Sequence, residues 1–240
     1  CITCEQNPKA LSLIEKVCAQ SGTKLYRFGK DFCLQKQTSS FLFCGVGRSI
    51  SGITIPLKGE HQRRNSTGAI AIALAIEDAG LFPVSDEAIR NGLRKSVWHG
   101  RFEIVLQKPL VVIDGAHNIA GIRALIKTLK EEFGSVRIIF IVGFLREKKY
   151  RQMVKMIAPV SKRIIFTRPD SPRAVHPNEL LQISLLYNCD AIVHENIDDA
   201  LEIALKDVSN DDIICVTGSL FLVGAIKKRF NIACCRVSQE

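Results

Sequence analysis

The sequence has 240 residues, of which 47% are hydrophobic and 24% are charged, and this composition is too apolar for a disordered chain. No uncharged apolar run of about 18 residues occurs, which excludes a membrane-spanning helix and predicts a cytoplasmic protein that binds no membrane. Because domains hold about 100 to 200 residues, the length fits one large domain or two smaller ones.

Basic residues outnumber acidic ones by 33 to 24, and the formal net charge of +9 favours an anionic partner. The densest basic patches, residues 146–149 and 63–64, are short and carry no interleaved aromatic side chains. Nucleic-acid binding is therefore a lesser alternative, and we expect none.

The nine cysteines are an odd number spread through apolar segments, which predicts reduced thiols. Cys1 and Cys4 form a CxxC pair without a second pair of ligand spacing, so we expect no metal site.

The first part of the chain mixes helical and strand patterns. Three helices are predicted here, over residues 8–21, 64–79 and 85–95. Asn65, Ser66 or Thr67 is expected to cap the second of them. Short apolar runs near Leu25, Phe41 and Ile50, separated by glycines, predict small antiparallel strands.

From residue 101 onward, apolar strand-like runs alternate regularly with helical segments. Strands are predicted at residues 110–113, 136–142, 163–166, 191–193 and 213–216. Helices are predicted near residues 120–133, 148–158, 177–187, 197–205 and 220–230. This alternation predicts an α/β fold with a mostly parallel sheet covered by helices on both faces. The change of pattern places a domain boundary near Trp98 to Arg101 and gives two domains, residues 1–98 and 99–240.

Polar residues that directly follow a parallel strand are the first candidates for a ligand site. Asp114 and His117 follow one apolar strand, and a carboxylate with an imidazole there suits a ribose, a cation, a carboxylate or a phosphate. The alternative is a capped turn without a ligand. Ser219 opens the last helix, where it suits an anion or serves as an ordinary N-cap.

Two further residues are candidates for a ligand contact. Arg101 lies at the predicted domain boundary, and Asn65 lies at the start of the helix predicted over residues 64–79. Arg101 follows a glycine, and its planar guanidinium suits a phosphate, although a linker salt bridge explains it as well. Asn65 either caps its helix or turns its amide toward a ligand.

Four segments stand out together: Gly-Glu-His-Gln-Arg-Arg-Asn at 59–65, Trp-His-Gly-Arg-Phe-Glu at 98–103, Asp-Gly-Ala-His-Asn at 114–118 and Thr-Gly-Ser-Leu-Phe-Leu-Val-Gly at 217–224. In this order they resemble the folylpolyglutamate synthase and dihydrofolate synthase family, a branch of the ATP-dependent Mur ligases. The resemblance covers essentially the whole chain. It implies that residues 1–98 are the end of a central α/β ATPase domain and that residues 99–240 are a Rossmann-like C-terminal domain.

The resemblance also implies an activity and site residues. In this family ATP phosphorylates a folate carboxylate, and the amine of L-glutamate then attacks the acyl phosphate. Asn65, Arg101 and Asp114 match nucleotide-binding positions, whereas His117 and Ser219 match positions linked to glutamate. Arg101 and His117 are the expected catalytic residues, the cofactors are ATP and Mg²⁺, and the partners are small-molecule substrates, namely ATP, L-glutamate and dihydropteroate or folate. We expect a monomer.

The sequence departs from the family pattern in two places. It lacks the glycine-rich phosphate loop that ends in Gly-Lys-Ser or Gly-Lys-Thr, and residues 45–49 are rejected as a substitute because they lack the lysine. The magnesium ligands and the modified lysine of the family are expected upstream of Cys1. A loop that usually carries Asp-Lys-Asp has Glu147, Lys148 and Lys149 here, which puts one acidic contact in doubt.

Two other functions stay open. The main alternative among enzymes is another Mur-type ligase, which joins an amino acid to a different carboxylate, such as a cell-wall precursor. A truncated binding module that retains only the α/β domain is the alternative outside enzymes. In either ligase case, we expect these 240 residues to be inactive alone.

Overall fold

A computed structural model describes residues 1–5 and 7–230 of the chain. It divides into two compact units, Cys1–Val97 and Trp98–Glu240. Within the described ranges, no helix is both long and apolar enough to cross a membrane.

The first unit combines three helices with two small sheets. Its helices are α1 (Pro8–Gln20), α2 (Glu60–Asp78) and α3 (Asp86–Arg94). Its strands are β1 (Ile2–Thr3), β2 (Tyr26–Arg27), β3 (Phe32–Lys36), β4 (Phe41–Gly45) and β5 (Arg48–Ile53). The antiparallel β3-β4-β5 sheet packs Phe32, Phe43 and Ile50 against Ile70 and Leu74 of α2. The short β1-β2 sheet is parallel, so the antiparallel prediction near Leu25 is wrong.

The start of α2 also differs from the sequence prediction. The helix begins at Glu60, after Gly59 with a φ of 96°, and no side chain caps it. Asn65, Ser66 and Thr67 therefore lie inside the helix, and the predicted cap is wrong. The hydroxyl of Thr67 instead donates to the carbonyl of Arg63 one turn earlier, at 2.7 Å. In contrast, Ser85 caps α3 by accepting the amide of Ala88.

The second unit is built on a six-stranded sheet within the described residues. Its strands are β6 (Glu103–Gln107), β7 (Leu110–Asp114), β8 (Arg137–Val142), β9 (Ser161–Phe166), β10 (Ala191–Val193) and β11 (Asp212–Thr217). Its α-helices are α4 (Ile119–Phe133), α5 (Tyr150–Ile157), α6 (Pro177–Leu185), α7 (Ile197–Asp207) and α8 (Leu220–Arg229). The strand order is β10-β9-β8-β11-β7-β6, and only the edge strand β6 is antiparallel to its neighbour. The predicted α/β fold with a mostly parallel sheet is confirmed.

Each face of this sheet is covered by its own helices. Phe140 and Val142 point to one face with residues of α4, α5 and α6, whereas Ile139 and Ile141 point to the other with residues of α7 and α8. Both faces are buried, which explains why β8 and β11 read as continuous apolar runs rather than alternating ones. Because β11 lies between β7 and β8, the carboxyl ends of these three strands meet at one edge.

Candidate functional site

The polar residues predicted from the sequence collect at this carboxyl edge of the second unit. Thr217, the last residue of β11, pairs in register with Asp114 of β7 on one side and with Val142 of β8 on the other. The loops that follow are tied together, because Gly218 donates its amide to the carbonyl of Ala116 at 2.9 Å. The helix after β11 covers one face of the sheet, whereas the helices after β7 and β8 cover the other, and this divergence creates the type of crevice in which open α/β sheets bind ligands.

Asp114 is nearly buried, and both of its carboxylate oxygens accept backbone hydrogen bonds. Oδ1 accepts from the amide of Ala116 and Oδ2 from the amide of Phe102, each at 2.8 Å. The carboxylate therefore fixes its own turn and a second segment of the chain.

Arg101 lies in that second segment, between two anchored neighbours. Gly100 accepts the amide of Gly115 at 2.8 Å, and Phe102 donates to Asp114. The Phe102 ring is buried and stacks on Phe133 with 5.9 Å between the ring centroids. The structure thus brings Arg101 and Asp114 together at the backbone level and leaves the Arg101 side chain half-buried.

His117 is oriented by its own backbone. Its Nδ1 lies 2.8 Å from the carbonyl oxygen of Gly115. A carbonyl only accepts hydrogen bonds, so Nδ1 carries the hydrogen, and in the neutral ring the lone pair is on Nε2. Nε2 is therefore the ring nitrogen that remains for a ligand or a proton.

Ser219 is the N-cap of α8, as one of its two sequence interpretations predicted. It is almost fully buried, and its Oγ accepts the amide of Phe221 at 3.2 Å. The preceding Gly218 has a φ of 104°, and a Cβ there would lie 2.6 Å from the carbonyl oxygen of Gly143. This close approach requires glycine and seats the start of α8 against the end of β8.

A cavity of about 180 Å³ lies beside His117 and Ser219. Lys148 and Arg173 bring two positive charges to its wall, together with Glu147, whose Oε1 is 2.8 Å from Nη1 of Arg173. The sequence gives no sign of Arg173, because this residue follows β9 in a Pro- and Ser-containing loop and reaches the cavity through the pairing of β8 with β9. The two cations and the N-terminus of α8 make the cavity suitable for a carboxylate.

A larger groove, of about 960 Å³, lies beyond β9 and β10 and does not contain the predicted residues. Asn65 belongs to the first unit, where it is exposed on α2 and donates to Oε1 of Gln62 at 3.2 Å. In residues 1–5 and 7–230, no group of three or more His, Cys, Asp or Glu side chains is arranged to hold a metal ion.

The part of the chain that holds the turn at Asp114 and most of the sheet matches a known domain family. Residues 100–220 match the family described as Mur ligase, glutamate ligase domain. The chain belongs to the Mur ligase family. Within the Mur ligase family, the predicted resemblance to folylpolyglutamate and dihydrofolate synthases is confirmed by relatives of that name.

One such relative is the dihydrofolate synthase/folylpolyglutamate synthase of Bacillus subtilis, which is 34% identical over 191 residues, covering 80% of this chain and 44% of the relative. The folylpolyglutamate synthase of Lacticaseibacillus casei is 32% identical over 227 residues, covering 92% of this chain and 51% of the relative. The solved Mycobacterium tuberculosis folylpolyglutamate synthase complexed with ADP aligns with a TM-score of 0.85 and 26% identity over 97% of this chain and 55% of that chain. This Mur ligase chain therefore spans about half the length of the relatives it matches.

Proposed function

We propose that these residues are part of an ATP-dependent carboxylate-amine ligase that adds L-glutamate to dihydropteroate, to folyl-(poly)glutamate, or to both. The relatives named for this activity support the reaction type. In the reaction, a folate carboxylate oxygen attacks the γ-phosphorus of ATP, and ADP leaves. The glutamate amine then attacks the acyl carbon, phosphate leaves, and the nitrogen loses its extra proton.

The cavity beside His117 and Ser219 is the observation that carries this proposal. Its cations, Lys148 and Arg173, offer charge-assisted hydrogen bonds to the carboxylates of glutamate. In its neutral form, the His117 ring has a lone pair on Nε2 that can accept the proton that the amino group must lose before it attacks. Ser219 shapes the floor, since its hydroxyl holds the first turn of α8.

Arg101 and Asp114 of the second unit are proposed to contact the nucleotide, and for Asn65 of the first unit a nucleotide contact stays a prediction from its motif. The guanidinium of Arg101 suits the γ-phosphate, and the carboxylate of Asp114 suits a ribose hydroxyl or the base. The ADP complex of the M. tuberculosis neighbour supports nucleotide binding by this fold. The described residues offer no metal cluster; the Mg²⁺ ligands are proposed to lie outside these described residues, and none of the steps above is assigned to a metal.

The domain assignment is part of the same proposal. Residues 1–98 are proposed as the end of the central ATPase domain and residues 99–240 as the C-terminal domain, in a monomeric cytoplasmic enzyme. The alternative of another Mur-type ligase has specific support, because a Buchnera aphidicola ligase named for 2,6-diaminopimelate is 35% identical over 128 residues. A panel of amino acids, tested for binding, distinguishes the folate-directed ligase from another Mur-type ligase.

The test is a titration of the chain with L-glutamate, L-glutamine and meso-diaminopimelate. The amide signals of His117, Ser219 and Lys148 in NMR spectra are the readout. We expect L-glutamate to shift these signals at lower concentration than L-glutamine, which lacks the second carboxylate. The Arg173→Ala variant should lose this preference, whereas Arg123→Ala, an exposed substitution on α4, should keep it. Preference for meso-diaminopimelate would favour the other ligase, and shifts elsewhere would contradict the site.

A further inference from the structure

A buried ion pair joins the last helix to the edge strand of the second unit. Nζ of Lys227 on α8 lies 3.0 and 3.2 Å from the two carboxylate oxygens of Glu103 on β6. The two side chains are only 9% and 18% exposed. Removing both charges from water is costly, and apolar residues of similar volume often stabilise such a position equally well. Stability alone therefore does not explain why two charges are placed here.

The carboxylate of Glu103 also holds the turn that precedes its strand. Oε2 accepts the amide of Gly100 at 2.6 Å, and Oε1 lies 3.1 Å from Nδ1 of His99. Burial raises the pKa of Glu103, but the hydrogen bonds from Gly100, Lys227 and His99 outweigh it and leave the pKa below its usual value. Glu103 is thus kept ionised at the point where it accepts these bonds.

The same turn is fixed from its other side. The carbonyl of Gly100 accepts the amide of Gly115, and the amide of Phe102 donates to Asp114. Gly100 has a φ of 69°, and a Cβ there would lie 3.0 Å from Val223 of α8. Arg101 is the residue between these anchored neighbours, so its Cα position depends on the bonds that Gly100 and Phe102 make.

We propose that Lys227 is a positioning residue, which orients the Glu103 carboxylate so that the Gly100 to Phe102 turn presents Arg101 to the phosphates of a nucleotide. The part that concerns the nucleotide rests on the proposed function, whereas the orientation of the turn does not. In this proposal Lys227 does not contact the ligand, because its ammonium group is paired with the carboxylate of Glu103. Its location about two turns into α8 also links Arg101 to the helix that starts after Ser219.

The experiment compares the chain with a Glu103→Gln, Lys227→Met double variant, which removes both charges and leaves no unpaired ion. The first measurement is amide hydrogen exchange. We expect exchange at Gly100 to become at least about tenfold faster, because its charge-assisted acceptor is replaced by a neutral one. The matched control is the Asp212→Asn, Lys162→Met double variant, which removes an ion pair at the opposite end of the sheet. It should lower stability without altering exchange at Gly100.

The second measurement is the ADP affinity of the chain, made with and without Arg101→Ala. We expect the Glu103→Gln, Lys227→Met variant to weaken ADP binding about tenfold when Arg101 is present and to have no further effect when Arg101 is Ala. An equal loss in both backgrounds, or unchanged exchange at Gly100, would overturn the proposal. A wild-type chain that binds no ADP would contradict the nucleotide site, and the exchange comparison would still decide whether the Glu103–Lys227 pair fixes the turn.

Discussion

The amide of Phe102 donates a hydrogen bond to Oδ2 of Asp114, with 2.8 Å between nitrogen and oxygen. This bond crosses from the segment before β6 to the end of β7, and it makes the carboxylate part of the framework that carries Arg101. The capped-turn and ligand interpretations of Asp114 are therefore compatible. The same group fixes the geometry of the turn and is the proposed contact for a ribose hydroxyl or the base.

Replacing Asp114 by Asn tests the structural part of this role. The amide group keeps one accepting oxygen but turns a donor toward one of the two backbone N–H groups, so one buried hydrogen bond is lost. We expect a loss of about 1.5 to 3 kcal/mol in the free energy of unfolding, measured by urea denaturation. Asp170→Asn, in an exposed loop, should change stability little, and equal effects of the two substitutions would contradict the framework role.

Arg101→Ala tests the proposed phosphate contact. A charge-assisted hydrogen bond contributes roughly 1.5 to 3 kcal/mol, so ADP affinity should fall at least about tenfold. Calorimetric titration of wild-type chain, Arg101→Ala and the exposed control Arg123→Ala provides the comparison. Unchanged affinity in Arg101→Ala would remove this residue from the site.

Gly218→Ala tests the close approach of the loops after β8 and β11. A Cβ at Gly218 would meet the carbonyl oxygen of Gly143 at 2.6 Å, and the φ of 104° is unfavourable for alanine. We expect a destabilisation of at least about 2 kcal/mol from strain and overlap. Gly224→Ala is the matched control in the same segment, because nothing lies within 4 Å of its Cβ position, and it should stabilise α8 by up to about 1 kcal/mol. Thermal unfolding of both variants measures these changes in stability. An unchanged stability of Gly218→Ala would show that the loops separate readily.

The sequence predicted the second unit well because its signals are local. Strands buried on both faces are continuous apolar runs, and β10 was located to the residue at Ala191–Val193. The edge strand β6 was missed because it mixes charged, polar and apolar residues, and only its pairing with β7 reveals it. The start of α2 was missed because a glycine at positive φ, rather than a side-chain cap, begins that helix.

The candidate site was predicted only where a motif contained its residues. His117 and Ser219 follow strands that are far apart in sequence, and the order of β7, β11 and β8 brings their loops together. Arg173 is close to Glu147 because an isolated bridge between Leu145 and Ala174 joins two loops. Lys227 lies eight residues beyond Ser219 in a helical run, and its sequence carries no sign of the buried partner Glu103. Such contacts depend on tertiary packing.

The pKa of Asp212 predicts a specific dependence of stability on pH. Burial raises this pKa, but hydrogen bonds from Lys162 and Ser209 outweigh it and bring the pKa to about 2. An unfolded aspartate has a pKa near 3.9, so the folded state binds its proton less readily. The contribution, about 2 kcal/mol, is complete above about pH 5 and is lost as the pH falls from about 4 to 2. Urea denaturation should show Asp212→Asn less stable than wild type at pH 7 and nearly equal at pH 2, whereas the exposed neighbour Asp211→Asn should match wild type throughout.

The missing Gly-Lys-Ser or Gly-Lys-Thr motif predicts that the 240 residues alone turn over no ATP. Positioning and charge stabilisation of the transferred phosphoryl group supply most of the catalysis in such reactions, and the phosphate loop with its metal provides much of both. We therefore expect no folate- and glutamate-dependent release of phosphate from ATP, even where ADP binding is detectable. The B. subtilis relative at full length is the positive control under the same conditions. Turnover by the 240 residues at a rate comparable to that control would contradict this prediction and would require a phosphate-binding element that the motifs do not reveal.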